Sequence, residues 1–203
     1  MIKTIIFDFG NVFINLDIPG AIAKTYKKLE VKEIPEEITA FNGLYEQGLI
    51  STEEFIEFYL ENFPNLSKED VINTWNYILK DFPEHRLDFL KEIKASKKYK
   101  LILLSNTNDL HINWIKENVP YYNDFKACFD AFYLSHEINL SKPNNDIYEF
   151  VLNTNTLKAN ECIFIDDNKD NIESAKKLGI NTWHLNPETD DVSQLFKINN
   201  NLF

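Results

Sequence analysis

The sequence has little of what would support a disulfide framework, a long linker or a membrane span. Its 203 residues include only two cysteines, five glycines and seven prolines. The two cysteines, Cys128 and Cys162, match neither a disulfide framework nor a metal-ligand pattern. So few glycines and prolines exclude a long flexible linker. No apolar run approaches the roughly 20 residues of a membrane-spanning helix.

A signal peptide and an excess of positive charge are also missing. A carboxylate already at position 8 interrupts any apolar signal core, so we expect a reducing, cytoplasmic setting. Lys and Arg number 21 against 32 Asp and Glu, a net charge of -11. Such a surface repels nucleic acid and anionic membranes over most of its area. A small anionic substrate stays possible, because a metal ion and one lysine can reverse the sign inside a cleft. The oligomeric state is not indicated.

Five short apolar runs recur along the chain, at 4–7, 100–104, 131–134, 162–165 and 181–185. Near-continuous apolar character over such short runs is typical of strands that are buried on both faces of a parallel sheet. Segments with helical spacing of apolar residues lie between the last four runs, at 110–119, 144–152 and 169–178. This alternation predicts an α/β fold with a doubly wound, mostly parallel, Rossmann-like sheet.

The stretch between the first two runs contains no convincing strand and is too long for a single crossover helix. Its amphipathic helical patterns include two that begin with a capping-box signature, at Ser51 and at Ser67. A last helix at 84–97 returns the chain to the sheet. We therefore predict an all-α subdomain at 17–83 over the carboxyl end of the first strand, and an α/β core made of 1–16 and 84–203.

Polar residues follow each of the first four predicted strands. Taken singly, each has an ordinary structural interpretation: a turn for Asp8, helix caps for Ser105 and for Asp166-Asp167, and a solvated surface side chain for Lys142. Because a parallel sheet gathers the carboxyl ends of its strands along one edge, we expect these residues to meet in one cleft. Together they predict phosphoryl transfer.

Each position contributes a different chemical group to that cleft. Ser105 and Asn106 offer a hydroxyl and backbone N–H groups that can hold phosphate oxygens. Lys142, just before a proline, offers a point charge for the same oxygens. Two adjacent carboxylates leaving a buried strand, Asp166 and Asp167, repel one another, and a hard divalent cation such as Mg²⁺ would compensate this repulsion.

The order of these motifs resembles that of the haloacid dehalogenase superfamily over nearly the whole chain. The stretches that carry the likeness are Phe-Asp-Phe-Gly-Asn-Val, Leu-Leu-Ser-Asn, Ser-Lys-Pro and Phe-Ile-Asp-Asp-Asn-Lys-Asp-Asn-Ile. The helical insert is similar to the C1-type cap of that superfamily. Within the superfamily, the chain resembles small phosphatases that carry the motif Asp-x-Gly-Asn-Val, such as those of the α-D-glucose-1-phosphate phosphatase branch.

The resemblance implies a two-step phosphatase mechanism on a small phosphorylated molecule. Asp8 would be the nucleophile and would carry an aspartyl-phosphate intermediate, while Ser105, Asn106 and Lys142 would hold the phosphate. The expected cofactor is Mg²⁺, bound by Asp8, the backbone carbonyl of Gly10, Asp167 and, directly or through water, Asp166.

One position departs from the pattern of the superfamily. Most of its phosphatases carry a second aspartate two residues after the nucleophile as general acid and base, and here that residue is Gly10. Positioned proton transfer is worth about 10²–10⁴-fold, so its loss favours activated phosphates with good leaving groups. Asp17, and less so Glu46 in the cap, are the candidates for a substitute.

Two other functions fit parts of the same pattern. A metal-independent 2-haloacid dehalogenase uses the same kind of nucleophile and also lacks the second aspartate, but such enzymes usually lack an acidic pair like Asp166-Asp167. A non-catalytic binding module would explain why the second aspartate is replaced by Gly10. That is its only support, because every other motif position is intact.

Overall fold

Five strands form one sheet in the computed structural model, which describes all 203 residues of the chain. The strands are β1 Thr4–Phe7, β2 Lys100–Ser105, β3 Ala131–Leu134, β4 Cys162–Asp166 and β5 Asn181–His184. They lie in the order β3-β2-β1-β4-β5, and every neighbouring pair is parallel. All carboxyl ends therefore lie at the same edge of the sheet.

The central strand β1 is buried on both of its faces. Ile5 pairs with Leu101 of β2 on one side and with Ile163 of β4 on the other. Ile5 and Phe7 point into a cluster of 28 buried residues, whereas Ile6 points into a second cluster of 11 on the opposite face. Because both faces need apolar side chains, three consecutive residues of the strand, Ile5 to Phe7, are apolar, rather than alternate ones.

Eleven α-helices accompany the sheet. They are α1 Ile18–Leu29, α2 Glu36–Glu46, α3 Thr52–Asn62, α4 Lys68–Trp75, α5 Glu84–Ser96, α6 Asp109–Asn118, α7 Tyr122–Ala127, α8 Ser135–Ile138, α9 Asn145–Thr154, α10 Lys169–Lys177 and α11 Leu195–Ile198. Helices α5 and α6 pack against one face of the sheet, and α9 and α10 pack against the other. The predicted doubly wound α/β architecture is confirmed.

Helices α1 to α4 follow one another between β1 and β2 and share a third hydrophobic cluster of eight residues. Both predicted capping boxes are present in this segment. Ser51 accepts a hydrogen bond from the backbone N–H of Glu54 and donates its own backbone N–H to the Glu54 carboxylate. Ser67 and Asp70 make the same reciprocal pair at the start of α4. The caps satisfy N–H groups that would otherwise be unpaired at the helix start.

Two short chain segments, side by side, join this helical unit to the rest of the fold. Asp17 donates its backbone N–H to the carbonyl of Ile78 at 2.9 Å, and Lys80 donates to the carbonyl of Asn15 at 3.0 Å. Leu16 and Leu79 form an antiparallel bridge between them. These contacts support the proposed division into a cap at 17–83 and a core of 1–16 and 84–203.

A buried arginine links the chain segment that leads into the helical unit to the C-terminal part of the chain. Arg86, at the start of α5, donates to the carbonyl of Phe13 at 3.0 Å and to Oδ1 of Asn15 at 2.9 Å. Its Nε donates to Oδ2 of Asp191 at 2.9 Å. One guanidinium therefore fixes the segment after β1 and the segment after β5 relative to each other.

Cys128 and Cys162 are both buried and both free thiols. None of the helices combines the length and the apolar character that crossing a membrane would require.

The contact between Arg86 and Asp191 predicts a pH-dependent contribution to stability. Burial pushes the pKa of Asp191 upward, but hydrogen bonds from Ser193, Arg86 and His85 outweigh it and hold the pKa below its ordinary value. A carboxyl group of this kind stabilises the fold above its unfolded-state pKa of about 4, and the stabilisation is lost as the pH falls further.

We therefore expect Asp191→Asn to lower the free energy of unfolding at pH 7 by about 2 kcal/mol, because it weakens the ion pair of a buried arginine. The deficit should shrink below a pH of about 4. Urea unfolding at pH 7 and at pH 3 measures both, with Asp88→Asn on the exposed side of α5 as the control. Equal deficits at the two pH values would contradict the pKa argument.

Candidate active site

The sheet edge brings the predicted polar positions together in the interior of the molecule. Asp8 directly follows β1, Ser105 is the last residue of β2, and Asp166 is the last residue of β4. Lys142 follows β3 and the short helix α8. All four residues are buried. The surface interpretation of Lys142 is therefore wrong, because its ammonium group is enclosed among carboxylates.

The ammonium group of Lys142 lies between two carboxylates. Its Nζ donates to Oδ1 of Asp8 at 2.6 Å and to Oδ2 of Asp166 at 2.7 Å. Asp166 is held in turn by the amide of Asn171, which donates to both of its oxygens, and by the backbone N–H of Asn168. Buried charges need such pairing, since an unpaired buried ion costs several kcal/mol.

The pKa values of this group are displaced in ways that follow from burial and pairing. Burial raises the pKa of Asp8 to about 7, although Lys142 acts in the opposite direction. Burial alone would lower the pKa of Lys142, but Asp166 and Asp8 outweigh it and bring that pKa above its ordinary value. Lys142 therefore keeps its positive charge, while the neighbouring carboxylates still carry more negative charge than one lysine can balance.

Three carboxylates in this cleft form a group that fits a divalent cation. One oxygen from each of Asp8, Asp166 and Asp167 lies within 4.8 Å of the others. Burial raises the pKa of Asp167, and the hydrogen bond from Asn11 offsets this effect only in part. Hard oxygen ligands with excess negative charge are what Mg²⁺ prefers. Asp166 already accepts hydrogen bonds at both oxygens, whereas Asp167 accepts one side-chain bond, from Asn11, and is the more available ligand.

The segment after Asp8 turns sharply, and the residue that makes the turn possible is Asn11. Asn11 has a φ of 52°, in the left-handed region, and its side chain accepts from the backbone N–H of Leu16 at 3.0 Å. Gly10 has a different role. A Cβ at position 10 would meet Cδ1 of Leu16 at 2.7 Å, so an aspartate there would require Leu16 to move.

Two of the predicted phosphate-binding residues, Ser105 and Asn106, lie beside this group, but their side chains make different contacts. Asn106 donates its amide to the carbonyl of Lys142 at 2.8 Å and accepts from the backbone N–H of Lys142 at 3.0 Å. Its side chain thus fixes the position of the lysine. The hydroxyl of Ser105 makes only a long contact of 3.4 Å with the carbonyl of Asn106. The Ser105 hydroxyl therefore has no strong hydrogen bond within the protein.

The part of the chain that carries this cleft matches a known family of hydrolases. A family model described as haloacid dehalogenase-like hydrolase matches residues 2–179. The matched region contains every strand end that contributes to the cleft, from Asp8 to Asp167. The chain belongs to the haloacid dehalogenase-like hydrolases. The resemblance noted in the sequence is thereby confirmed.

Two phosphatases and one solved structure are similar to this hydrolase over most of its length. The chain is 29% identical over 195 residues to D-ribitol-5-phosphate phosphatase of Bacteroides thetaiotaomicron, covering 90% of this chain and 91% of that protein. It is 26% identical over 190 residues to the phosphorylated carbohydrates phosphatase of Thermotoga maritima, covering 88% and 82%. A haloacid dehalogenase family enzyme of Bacteroides thetaiotaomicron, solved with magnesium and inorganic phosphate, matches with a TM-score of 0.82 and 35% identity over 97% of this chain and 100% of that chain.

The two candidates for a substitute proton donor lie in different surroundings in this hydrolase. Asp17 caps α1, because its Oδ1 accepts from the backbone N–H of Gly20 at 2.9 Å, and its Oδ2 lies 3.5 Å from Lys80. Glu46 lines a cavity in the cap, and burial raises its pKa to about 7. Neither residue lines the acidic cleft that contains Asp8.

Two asparagines of the site were missed as functional candidates in the sequence. Asn171 lies in the first turn of α10 and donates to both carboxylate oxygens of Asp166. Asn11 donates to Oδ2 of Asp167 at 2.8 Å. The signals that could have found them are the Gly-Asn pair after the first strand and the spacing of five residues after Asp166, but asparagine is common in turns and helix caps.

The contact between Asn11 and Asp167 predicts an effect on metal affinity. Residues that orient a ligand from behind typically contribute 10–100-fold to metal affinity. We expect Asn11→Gly, which keeps the left-handed backbone conformation, to raise the magnesium concentration for half-maximal activity by about 10-fold or more. Magnesium titration of phosphate release measures this, with the exposed Asn200→Ala as control. An unchanged magnesium concentration for half-maximal activity would show that Asn11 does not support the metal site.

Proposed function

We propose that this hydrolase is a magnesium-dependent phosphatase that transfers the phosphoryl group of a small phosphate monoester to Asp8. The observation that carries the proposal is the buried ammonium of Lys142, which joins Asp8 to Asp166 within a group of three carboxylates. Such a site combines a carboxylate nucleophile, a fixed positive charge and oxygen ligands for a cation. The acidic pair Asp166-Asp167 is a feature that a metal-independent dehalogenase would not need.

In the first step, a carboxylate oxygen of Asp8 attacks phosphorus in line with the ester oxygen. The P–O bond to the leaving group breaks, and the leaving oxygen takes the electron pair. Oδ1 of Asp8 is held by Lys142, so the side chain has a fixed orientation toward the cleft. The Lys142 charge and the Ser105 hydroxyl would stabilise the equatorial phosphoryl oxygens as their charge changes.

Asp8, Asp167 and the carbonyl of Gly10 would hold the magnesium ion, with Asp166 joining directly or through water. When bound, the ion supplies positive charge that offsets repulsion between the carboxylates and the phosphate. In the second step, water attacks the phosphorus of the aspartyl-phosphate. The bond between phosphorus and the Asp8 oxygen breaks, which releases inorganic phosphate and restores the carboxylate.

The proposed substrate class is a phosphorylated sugar or polyol, and because Gly10 supplies no proton donor, an anomeric sugar phosphate should turn over faster than a primary alkyl phosphate. The named relatives are phosphatases of ribitol 5-phosphate and of phosphorylated carbohydrates. The net charge of -11 disfavours nucleic acid and anionic membranes as partners. We propose the cytoplasm as the setting, because both cysteines are free thiols rather than a disulfide pair.

The role of Asp8 predicts a near-complete loss of turnover in Asp8→Asn. The amide is a poor nucleophile, so phosphate release from acetyl phosphate should fall by at least about 10³-fold. In the wild type, rapid acid quenching should trap a hydroxylamine-sensitive phosphoryl group on Asp8, detected by mass spectrometry. Asp88→Asn is the matched control on the surface. Turnover that survives in Asp8→Asn, or that is unaffected by a chelator, would refute the proposal.

The glycine at position 10 predicts a strong dependence on the leaving group. Without a positioned proton donor in the cleft, the rate should follow the stability of the departing oxyanion. We expect kcat/KM for para-substituted phenyl phosphates to fall by about 10²-fold or more from the best to the poorest leaving group. Asp17→Asn should leave this slope unchanged, because Asp17 caps α1. A flat series, or a slope that steepens in Asp17→Asn, would reveal a proton donor.

A further inference from the structure

A histidine of the core lies against a tryptophan of the proposed cap at the end of α4. His111, in the first turn of α6, stacks on the indole ring of Trp75, with the two ring planes 19° apart. Its Nε2 lies 3.2 Å from the backbone carbonyl oxygen of Trp75. Because Trp75 is the last residue of α4 and His111 belongs to α6, this contact joins the two parts of the fold.

The side chain of Asn108 completes this contact. Asn108 immediately precedes α6 and is fully buried. Its Oδ1 accepts from Nε1 of Trp75 at 3.1 Å and from the backbone N–H of His111 at 3.0 Å. Its Nδ2 lies 3.2 Å from Nδ1 of His111. Reversing the amide would turn its N–H groups toward two groups that can only donate, so the orientation of Asn108 is determined.

These partners determine the protonation state of the His111 ring. The carbonyl of Trp75 can only accept, so Nε2 must carry a proton. Nδ1 must accept from the amide of Asn108, so it carries none. A second proton, on Nδ1, would point at the N–H groups of Asn108 and break that hydrogen bond. The contact therefore fits the neutral imidazole and not the imidazolium ion.

The elements around His111 offer no charge that would stabilise a protonated ring. Burial and the nearby His136 lower the pKa of His111 to about 4, and the hydrogen bond with Trp75 offsets this only in part. The ring also lies in the first turn of a helix, where the partial positive charge of the helix start opposes a second proton. The other titratable side chains nearby are Tyr45 and Glu46 of α2, Tyr59 of α3 and Asp109 of α6.

None of these neighbours changes that result. Burial raises the pKa of Glu46 to about 7, so its carboxyl group is uncharged at pH 5. Burial also raises the pKa values of Tyr45 and Tyr59, which are therefore neutral. Asp109 has an exposed side chain that lies 3.5 Å from Nε2 of His136.

The turn after α2 joins the proposed cap to the core through groups of another kind. Asn139 donates to the carbonyls of Gln47 and Gly48. Gln47 donates to the hydroxyl of Ser141 at 2.8 Å, next to Lys142. Amide, hydroxyl and carbonyl groups do not change charge between about pH 4 and pH 8. We therefore expect this turn to stay attached to the core when His111 gains a proton.

We propose that His111 is a proton-sensitive contact between cap and core: the neutral ring holds the end of α4 against the start of α6, and a second proton on the ring releases it. Asn108 lies two residues after Asn106, which fixes the backbone of Lys142. The released contact thus borders the segment that carries the proposed phosphate-binding residues. Its release requires neither magnesium nor turnover, so it is independent of the proposed phosphatase function.

The direction of the pH dependence follows from the two states of the ring. In the attached state the pKa of His111 is about 4, whereas a detached, hydrated histidine has a pKa of about 6.5. Between these values the detached state binds more protons. Its population relative to the attached state should therefore rise by about 10-fold or more from pH 7 to pH 5. Below a pH of about 4 both states are protonated, and no further release is expected.

Nitrogen NMR of the His111 ring tests the assigned protonation state. We expect Nε2 to carry the proton at pH 7 and the ring to titrate below the ordinary pKa of about 6.5. In Asn108→Asp, a carboxylate replaces the amide and accepts from a protonated Nδ1, so the pKa of His111 should rise above about 6.5. A proton on Nδ1 in the wild type at pH 7, or a pKa that does not rise in Asn108→Asp, would contradict the proposal.

Release of α4 is measured on Trp75 itself. In protein labelled with 5-fluorotryptophan, the fluorine resonance that is missing in Trp75→Phe belongs to Trp75, and that of Trp183 on β5, assigned in the same way, reports global unfolding. From about pH 7 to pH 5, the Trp75 resonance should move toward that of hydrated tryptophan while the Trp183 resonance stays constant. His111→Gln keeps a donor for the Trp75 carbonyl but does not titrate, so it should abolish this movement.

His136→Gln is the matched control, because it removes the neighbouring histidine and leaves the partners of His111 in place. The Trp75 resonance should still move in this variant. Movement that persists in His111→Gln, that is lost in His136→Gln, or that Trp75 and Trp183 show together would overturn the proposal. If His111→Gln does not fold, Asn108→Asp decides the same question, since its Trp75 resonance should stay at the attached position at pH 5.

Discussion

The ammonium group of Lys142 is the contact on which the rest of the active site depends. It lies 2.6 Å from Asp8 and 2.7 Å from Asp166, and it is buried with both of them. Without this charge, two largely buried carboxylates at the ends of neighbouring strands would repel one another. Its single positive charge is still smaller than the negative charge of the three aspartates. That imbalance is the physical reason why the site fits a divalent cation.

The cap and the core provide two chemically distinct spaces. The cleft at the sheet edge is almost entirely polar, as phosphate and a metal ion require. The cavity between the cap helices is mostly apolar, with a carboxyl and an amide group on one helix. The turn at Glu46 to Gly48 connects them, because it hydrogen-bonds to the core beside Lys142.

Much of the fold could be predicted because its signals are local. Short apolar runs mark most of these strands in the sequence, so β1 and β3 have the predicted bounds, and β2, β4 and β5 differ from them by one residue. The capping boxes at Ser51 and Ser67 are contained within four residues each. The contacts of Asn171 could not be predicted in this way, because they depend on how a helix packs beside a strand.

The sequence by itself determined the order of the strands along the chain and the chemical type of the residue at each strand end. From these alone, a parallel sheet with a polar edge follows. Only the tertiary structure decided which groups touch: that Asn106 fixes the backbone of Lys142, and that Leu16 occupies the space beside Gly10. Local sequence sets backbone preferences over a few residues, whereas burial and pairing of charge depend on residues that are distant in the chain.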